Sequence, residues 1–180
     1  MGNPLALFHA GKAGPVVLFA RNQLCAMARP GLEVTQETLL AAMLDPNLKL
    51  GTSTPKADPA GDYTWAMFAK ADALRPGSRA LLEAKAVQLM GGRNSLRPPE
   101  GVNLFAWHLR EKHADIFIAY CSAGPAVAAQ LPGAKLLRLP PALAMGADYG
   151  LTILTRASPN TARLAFFILS QDGLLPMNSR

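Results

Sequence analysis

From Lys49 to Pro140 the chain repeats one pattern: a short apolar, β-prone run, a loop holding Gly or Pro, and then apolar residues at helical spacing. KLGT passes through a loop into a helix that opens at Pro59 and carries Trp65, Phe68 and Ala69. ADIFIAY leads into SAGPAVAAQ and then AKLLRLP. Strands separated by helices cannot close as tight hairpins, so this alternation constrains the chain to an α/β fold built from βαβ-like units. The 180 residues, half of them apolar, suffice for one sizeable core or two small ones. Fifteen Gly and fifteen Pro, scattered along the chain, fit many short elements better than a helical bundle.

The flanking and intervening segments read similarly. Residues 3–10 form a short helix, Gly11 to Pro15 breaks the chain, and Val16 to Arg29 is extended. Thr35 is a candidate N-cap for the helix QETLLAAML, which Pro46 stops. Pro76 opens a second amphipathic helix, SRALLEAKAVQLM, followed by the loop GGRNSLRPPEG. From Gly101, the residues Val102, Phe105, Ala106 and Leu109 recur at helical spacing. Asp148 to Thr155 is β-prone, and Ser158 caps a last helix, PNTARLAFFILS, ending near Gly173.

The net charge of +6 comes from basic residues that form no run, which favours a dispersed solvated surface over a nucleic-acid patch. The longest apolar stretches fall well short of the roughly 20 residues of a membrane helix. The N-terminal MGNPLALFHAGKAG has no basic leader and its Gly and Pro interrupt any apolar core, so no signal peptide is read there. Cys25 and Cys121 lie far apart in apolar segments and read as separate buried thiols in preference to a disulfide.

Catalytic and cofactor motifs find no support. A nucleophile elbow needs glycines on both sides of its serine, and Ser122 has Tyr120 before it and only Gly124 after it. His108 and His113, five apart, would point to different sides of one helix, unlike a metal-binding pair four apart, and read as surface residues. Gly91 and Gly92 lie in no phosphate-loop pattern. Tyr63, Trp65 and Phe68 read as core in preference to a base-stacking platform. No catalytic residue, metal or cofactor is therefore expected. What remains are helix starts after apolar strands, whose unpaired amides and partial positive charge suit an anion: Asp58-Pro59-Ala60-Gly61 and Gly101-Val102-Asn103.

The segments KLGTSTPKADPAGDYTWAMFAKADAL and GVNLFAWHLREKHADIFIAYCSAGPAVA resemble the periplasmic molybdate-binding proteins that feed ABC transporters. In that family a strand ends in a Pro-Ala-Gly helix start, and farther on a Val-led helix leads into a strand finishing with Tyr. This chain has Pro59-Ala60-Gly61, Val102 and Tyr120 in those places.

The resemblance implies a non-catalytic receptor in which the amides of Ala60 and Val102 and the hydroxyl of Tyr120 donate to a tetrahedral oxyanion. Molybdate or tungstate is the first expectation and sulfate the second. It also implies periplasmic placement, an ABC permease as partner, and no nucleic acid.

The implied fold is α/β and periplasmic-binding-protein-like: one complete α/β domain plus a partial second domain, joined by two crossing strands. Residues 1–20 would be a remnant of the first domain and 21–30 a hinge crossing. Residues 31–145 would be the complete domain, and 146–180 the return crossing and last helix. The family's first strand and serine loop have no counterpart here, and GLLPMNSR is shorter than the family's closing helix. The expectation is an N-terminally truncated member, whether a fragment or a shortened relative, in which exposed apolar surface invites a homodimer. A scaffold or regulatory sensor that kept the fold without the ligand is the competing expectation.

Overall fold

Both faces of the central strands are apolar, and their side chains divide by parity between two cores. In β4 (Ile116–Tyr120), Ile116 and Ile118 enter one cluster while Phe117 and Ala119 enter the other. In β1 (Val17–Ala28), Leu24, Ala26 and Ala28 go to the first and Met27 to the second. Such strands read as continuous apolar runs because helices cover the sheet on both sides. The computed structural model describes residues 2–93 and 95–173; the expectation for GLLPMNSR falls, beyond Gly173, outside them.

Among these residues the sheet runs β3-β2-β4-β1-β5, with β6 (Gly146–Leu151) pairing to β1. β2 (Leu50–Ser53) is parallel to β3 (Ala86–Met90) and to β4. β1 is antiparallel to both β4 and β5 (Lys135–Arg138). The first core packs α2 (Leu39–Leu44), α3 (Pro59–Leu74) and α4 (Ser78–Lys85) on one face through Leu39, Met43, Met67, Phe68 and Leu82. The second packs α5 (Leu104–Arg110) and α6 (Gly124–Gln130) on the other through Ala106, Leu109 and Val127. The α/β, periplasmic-binding-protein-like class expected from the sequence is the fold observed.

The chain divides into two compact units: Gln23–Gly146, and the residues up to Asn22 together with those from Ala147. The larger unit holds both cores. The smaller contains α1 (Gly2–His9), the first part of β1, most of β6 and α7 (Pro159–Leu169). It is held by the Gly14 amide donating to Ile153 O (2.8 Å), the Thr155 amide donating to Lys12 O (3.0 Å) and the Arg21–Asp148 ion pair. α7 is apolar nearly all round, yet Phe166 is 71% and Phe167 58% exposed, and its one buried residue is Ala165.

Four expectations are corrected. The helix read through SRALLEAKAVQLM ends at Lys85, and AVQLM is the strand β3. Its ladder with β2 (Leu50↔Ala86, Gly51↔Val87) and the burial of Leu89 outweigh local helical spacing. Thr35 does not cap a helix: its amide and hydroxyl bond with Thr38 and Glu37 in a turn, and α2 begins only at Leu39.

Cys25 and Cys121 form a disulfide, because the β1–β4 ladder sets Cys25 opposite Ala119, two residues from Cys121. His108 and His113 are not separate surface residues. α5 stops at Arg110, Lys112 reverses the chain at φ 55°, and the two Nδ1 atoms come within 3.2 Å, with His108 fully buried.

Candidate functional site

β2 leads through α3 and α4 on one face to β3, and β3 leads through α5 on the other face back to β4 on the far side of β2. The crossover changes face there, so the carboxyl ends of β2 and β4 flank a switch point, the place where open α/β sheets receive ligands.

At the end of β2 the chain reaches Thr54, whose amide donates to Met90 O at the end of β3 (2.8 Å). Four residues on, Asp58 caps α3: its carboxylate accepts the Ala60 amide at 2.8 Å, while Pro59 sits where the first turn lacks a partner for its N–H. Gly61 is required by proximity. A Cβ there would lie 2.6 Å from the carbonyl carbon of Thr54 and 2.7 Å from the nitrogen of Pro55. The loop leaving β3 closes over the same corner, since a Cβ on Gly91 (φ +80°) would meet the Cβ of Asp58 at 2.7 Å. Beside it, the Gly92 amide donates to Ser95 Oγ at 3.0 Å. Two carboxylates, Asp58 and Asp62, stand at this helix start, the second accepting the Lys56 amide at 2.8 Å.

Tyr120 ends β4 and packs against the first core, to which the buried Ala60 also belongs. Tyr63, one turn into α3, meets Tyr120: its ring stands edge-on to that of Tyr120 at 6.5 Å. Ala60 and Tyr120 thus pack on the same core. Val102 is held differently. Its amide donates to Pro99 O (3.2 Å), and α5 is capped by Asn103 through the Ala106 amide (3.1 Å). Gln130 at the end of α6 bridges that start, accepting from the Asn103 amide at 2.6 Å and donating to Gly101 O at 3.0 Å. Ala106 and Leu109 of α5 join the second core.

Sequence reasoning missed Asp58 as the group already occupying the Ala60 amide, though an Asp directly before Pro at a helix start signals such a cap. It also missed Thr54, Gly91 and Gly92, which only the β2–β3 pairing brings to the corner. The hydroxyls of Thr52 and Ser53 are buried without a hydrogen-bond partner among the described residues. No group of three or more His, Cys, Asp or Glu among those residues is placed to hold a metal ion. The corner offers amides, hydroxyls and carboxylates, an inventory suited to binding.

The sequence pattern described as bacterial extracellular solute-binding protein matches residues 2–174. The chain is 39% identical over 108 residues to the uncharacterized protein PM1146 of Pasteurella multocida (strain Pm70), an alignment covering 59% of this chain and 45% of that protein. It therefore spans less than half of this relative's length. In fold it is similar to the periplasmic molybdate-binding protein of Azotobacter vinelandii, with a TM-score of 0.60 and 18% identity over 96% of this chain and 70% of that one. It is also similar to the sulfate-binding protein SubI of Mycobacterium tuberculosis H37Rv, with a TM-score of 0.60 and 15% identity over 94% and 61%.

Proposed function

Because this chain belongs to the bacterial extracellular solute-binding protein family, we propose that it is the ligand-holding part of a receptor that delivers a tetrahedral oxyanion to an ABC transporter. Molybdate or tungstate is the first ligand class and sulfate the second. Ala60, Tyr120 and Val102 are the proposed donors.

One observation carries the reading: the start of α3 and the end of β4 meet at the switch point, joined by the Tyr63–Tyr120 ring contact. A desolvated oxyanion there is stabilised by fixed amide and hydroxyl dipoles without a cationic side chain. Since the Ala60 and Val102 amides donate to Asp58 and Pro99 in this structure, binding exchanges an internal acceptor for the ligand at each.

The resemblance of the motif favours molybdate, and the fold likeness to both a molybdate-binding and a sulfate-binding protein supports the wider oxyanion class. β1 and β6 are proposed as the two crossing strands, since the division between units falls within the first and at the start of the second. An extracytoplasmic site is supported by the family and by the disulfide, which persists in oxidising compartments. No helix among the described residues is long and apolar enough to cross a membrane. The exposed Leu164, Phe166 and Phe167 support a homodimer, checked by light scattering across a dilution series.

Calorimetric titration with molybdate, tungstate and sulfate tests the function. Binding of at least one, weakened about tenfold or more by Tyr120→Phe as expected for one hydrogen bond to a charged group, supports the receptor. Binding of none overturns it and leaves a scaffold that has kept the fold.

A further inference from the structure

The β1–β4 ladder ends at Leu24↔Tyr120. Beyond it the backbone leaves the sheet through a 3-10 turn, Cys121–Ala123, that has no side-chain cap, before α6 begins at Gly124. The disulfide takes over where the hydrogen bonds stop. Cys25, opposite Ala119 in the ladder, reaches past the strand end to Cys121, the residue immediately after Tyr120, across a sequence separation of 96. Tyr120 therefore lies between a hydrogen-bonded neighbour on one side and a covalently tied neighbour on the other. The strand that supplies Cys25 crosses the division between the two units at Asn22 and Gln23, only a few residues earlier. The bridge thus ties the end of the proposed ligand strand to the crossing strand. Cys25 is 1% exposed and Cys121 half-buried, so Cys121 is the more accessible residue of the pair.

We propose that the Cys25–Cys121 disulfide is a positioning element for Tyr120, making ligand capture at this corner dependent on the oxidised state. The inference rests on the role given to Tyr120 above. Without the bridge, the segment after Ala119 loses its covalent tie to β1, and the last ladder pair, the turn without a side-chain cap and the packing of Tyr120 on Tyr63 and the first core hold it more loosely. The phenol then samples orientations of which few suit the ligand, and affinity falls by the fraction lost. The redox step is ordinary exchange with a dithiol such as dithiothreitol. One thiolate attacks the Cys121 sulfur and releases Cys25 as a thiolate, which takes up a proton. The second thiol then closes on the mixed disulfide and releases Cys121. Two protein thiols form, and the dithiol leaves as its own cyclic disulfide.

The experiment compares the purified oxidised chain, the same chain after dithiothreitol, and the Cys25→Ser/Cys121→Ser double variant. Each is titrated calorimetrically with molybdate and with sulfate, and each is paired with Tyr120→Phe. Thiol counting confirms the redox state, and circular dichroism confirms the fold. The expected result is binding about tenfold or more weaker without the bridge, together with a smaller penalty for Tyr120→Phe in that background. Equal affinities in oxidised and reduced chains, or a Tyr120→Phe penalty unchanged by reduction, overturn the proposal even if the melting temperature falls.

Should the double variant not fold, amide exchange on mildly reduced wild-type protein replaces it. Protection lost at residues 119–124 and kept in β2 and α3 is then expected, and uniform loss across Gln23–Gly146 overturns the proposal. An oxidised chain that binds no oxyanion defeats the receptor reading instead, while the exchange pattern still reports on the bridge.

Discussion

The carboxylate of Asp58 accepts the backbone amide of Ala60 at 2.8 Å, so the donor proposed for the ligand is capped by an anion from its own chain. An oxyanion drawing on that amide must displace a like charge. Asp58→Asn keeps a capping oxygen and removes the charge, and tighter oxyanion binding than wild type is the expected calorimetric result. Asp58→Ala removes the cap as well, at a cost of about 0.5–2 kcal/mol in urea unfolding.

Gly61→Ala is expected to perturb the same corner by contact alone, since the added Cβ meets the backbone of Thr54 and Pro55, which has no rotamer to yield. A loss of about 1–3 kcal/mol in stability follows from forced overpacking. Crystal structures or amide shifts of the variant should show the displacement centred on residues 54–61. Unchanged stability and unchanged shifts would contradict the close approach.

Asp115 joins three elements: it pairs with Arg29 at the end of β1 and accepts the Lys49 amide at 2.8 Å just before β2. Burial pushes its carboxyl pKa up, but the Arg29 hydrogen bond, the Lys49 amide and both positive charges outweigh it, holding the pKa below the usual value. The folded pKa lies under the unfolded one, so the stabilisation is present above about pH 4 and lost as the pH falls through the folded value. Urea unfolding between pH 7 and pH 3 should lose less stability in Asp115→Asn than in wild type. The variant should be destabilised at pH 7 by about 1.5–3 kcal/mol, because a charged-group hydrogen bond is gone.

His108 extends the pH argument into the second core. Burial, and then the neighbouring His113, hold its pKa below the ordinary value, with the Leu89 backbone offsetting part of the effect. The unfolded chain takes up the proton first, so this contribution is complete above about pH 6.5 and declines as the pH falls toward the folded value. Thermal melts of wild type should drop between pH 7 and pH 5, and His108→Phe should flatten that part of the profile. A profile identical to wild type would place the acid sensitivity elsewhere.

Much of the fold was legible because alternation of strand and helix is a local, periodic signal. Residues 3–10, Val16 to Arg29, KLGT, ADIFIAY and AKLLRLP all lie close to observed elements. The Pro59 start of α3 was readable for the same reason, since proline at a first helical turn has a local cause. AVQLM was not, because five residues with apolar spacing suit either state and only pairing with β2 chooses. The disulfide and the contact between His108 and His113 were equally hidden. Each depends on where the chain is brought after a strand or helix ends.

Taken alone, the amino-acid sequence determined the α/β class, the helix start at Asp58-Pro59-Ala60-Gly61 and the tyrosine closing an apolar strand, since each is written within a few residues. The tertiary structure decided which of these meet. It set Tyr63 against Tyr120, folded Gly91 over Asp58, bound Cys25 to Cys121 and turned Val102 toward Pro99. All but the turn at Val102 join residues far apart in the chain. They are fixed by strand register and by burial of two opposed cores, which no local pattern encodes.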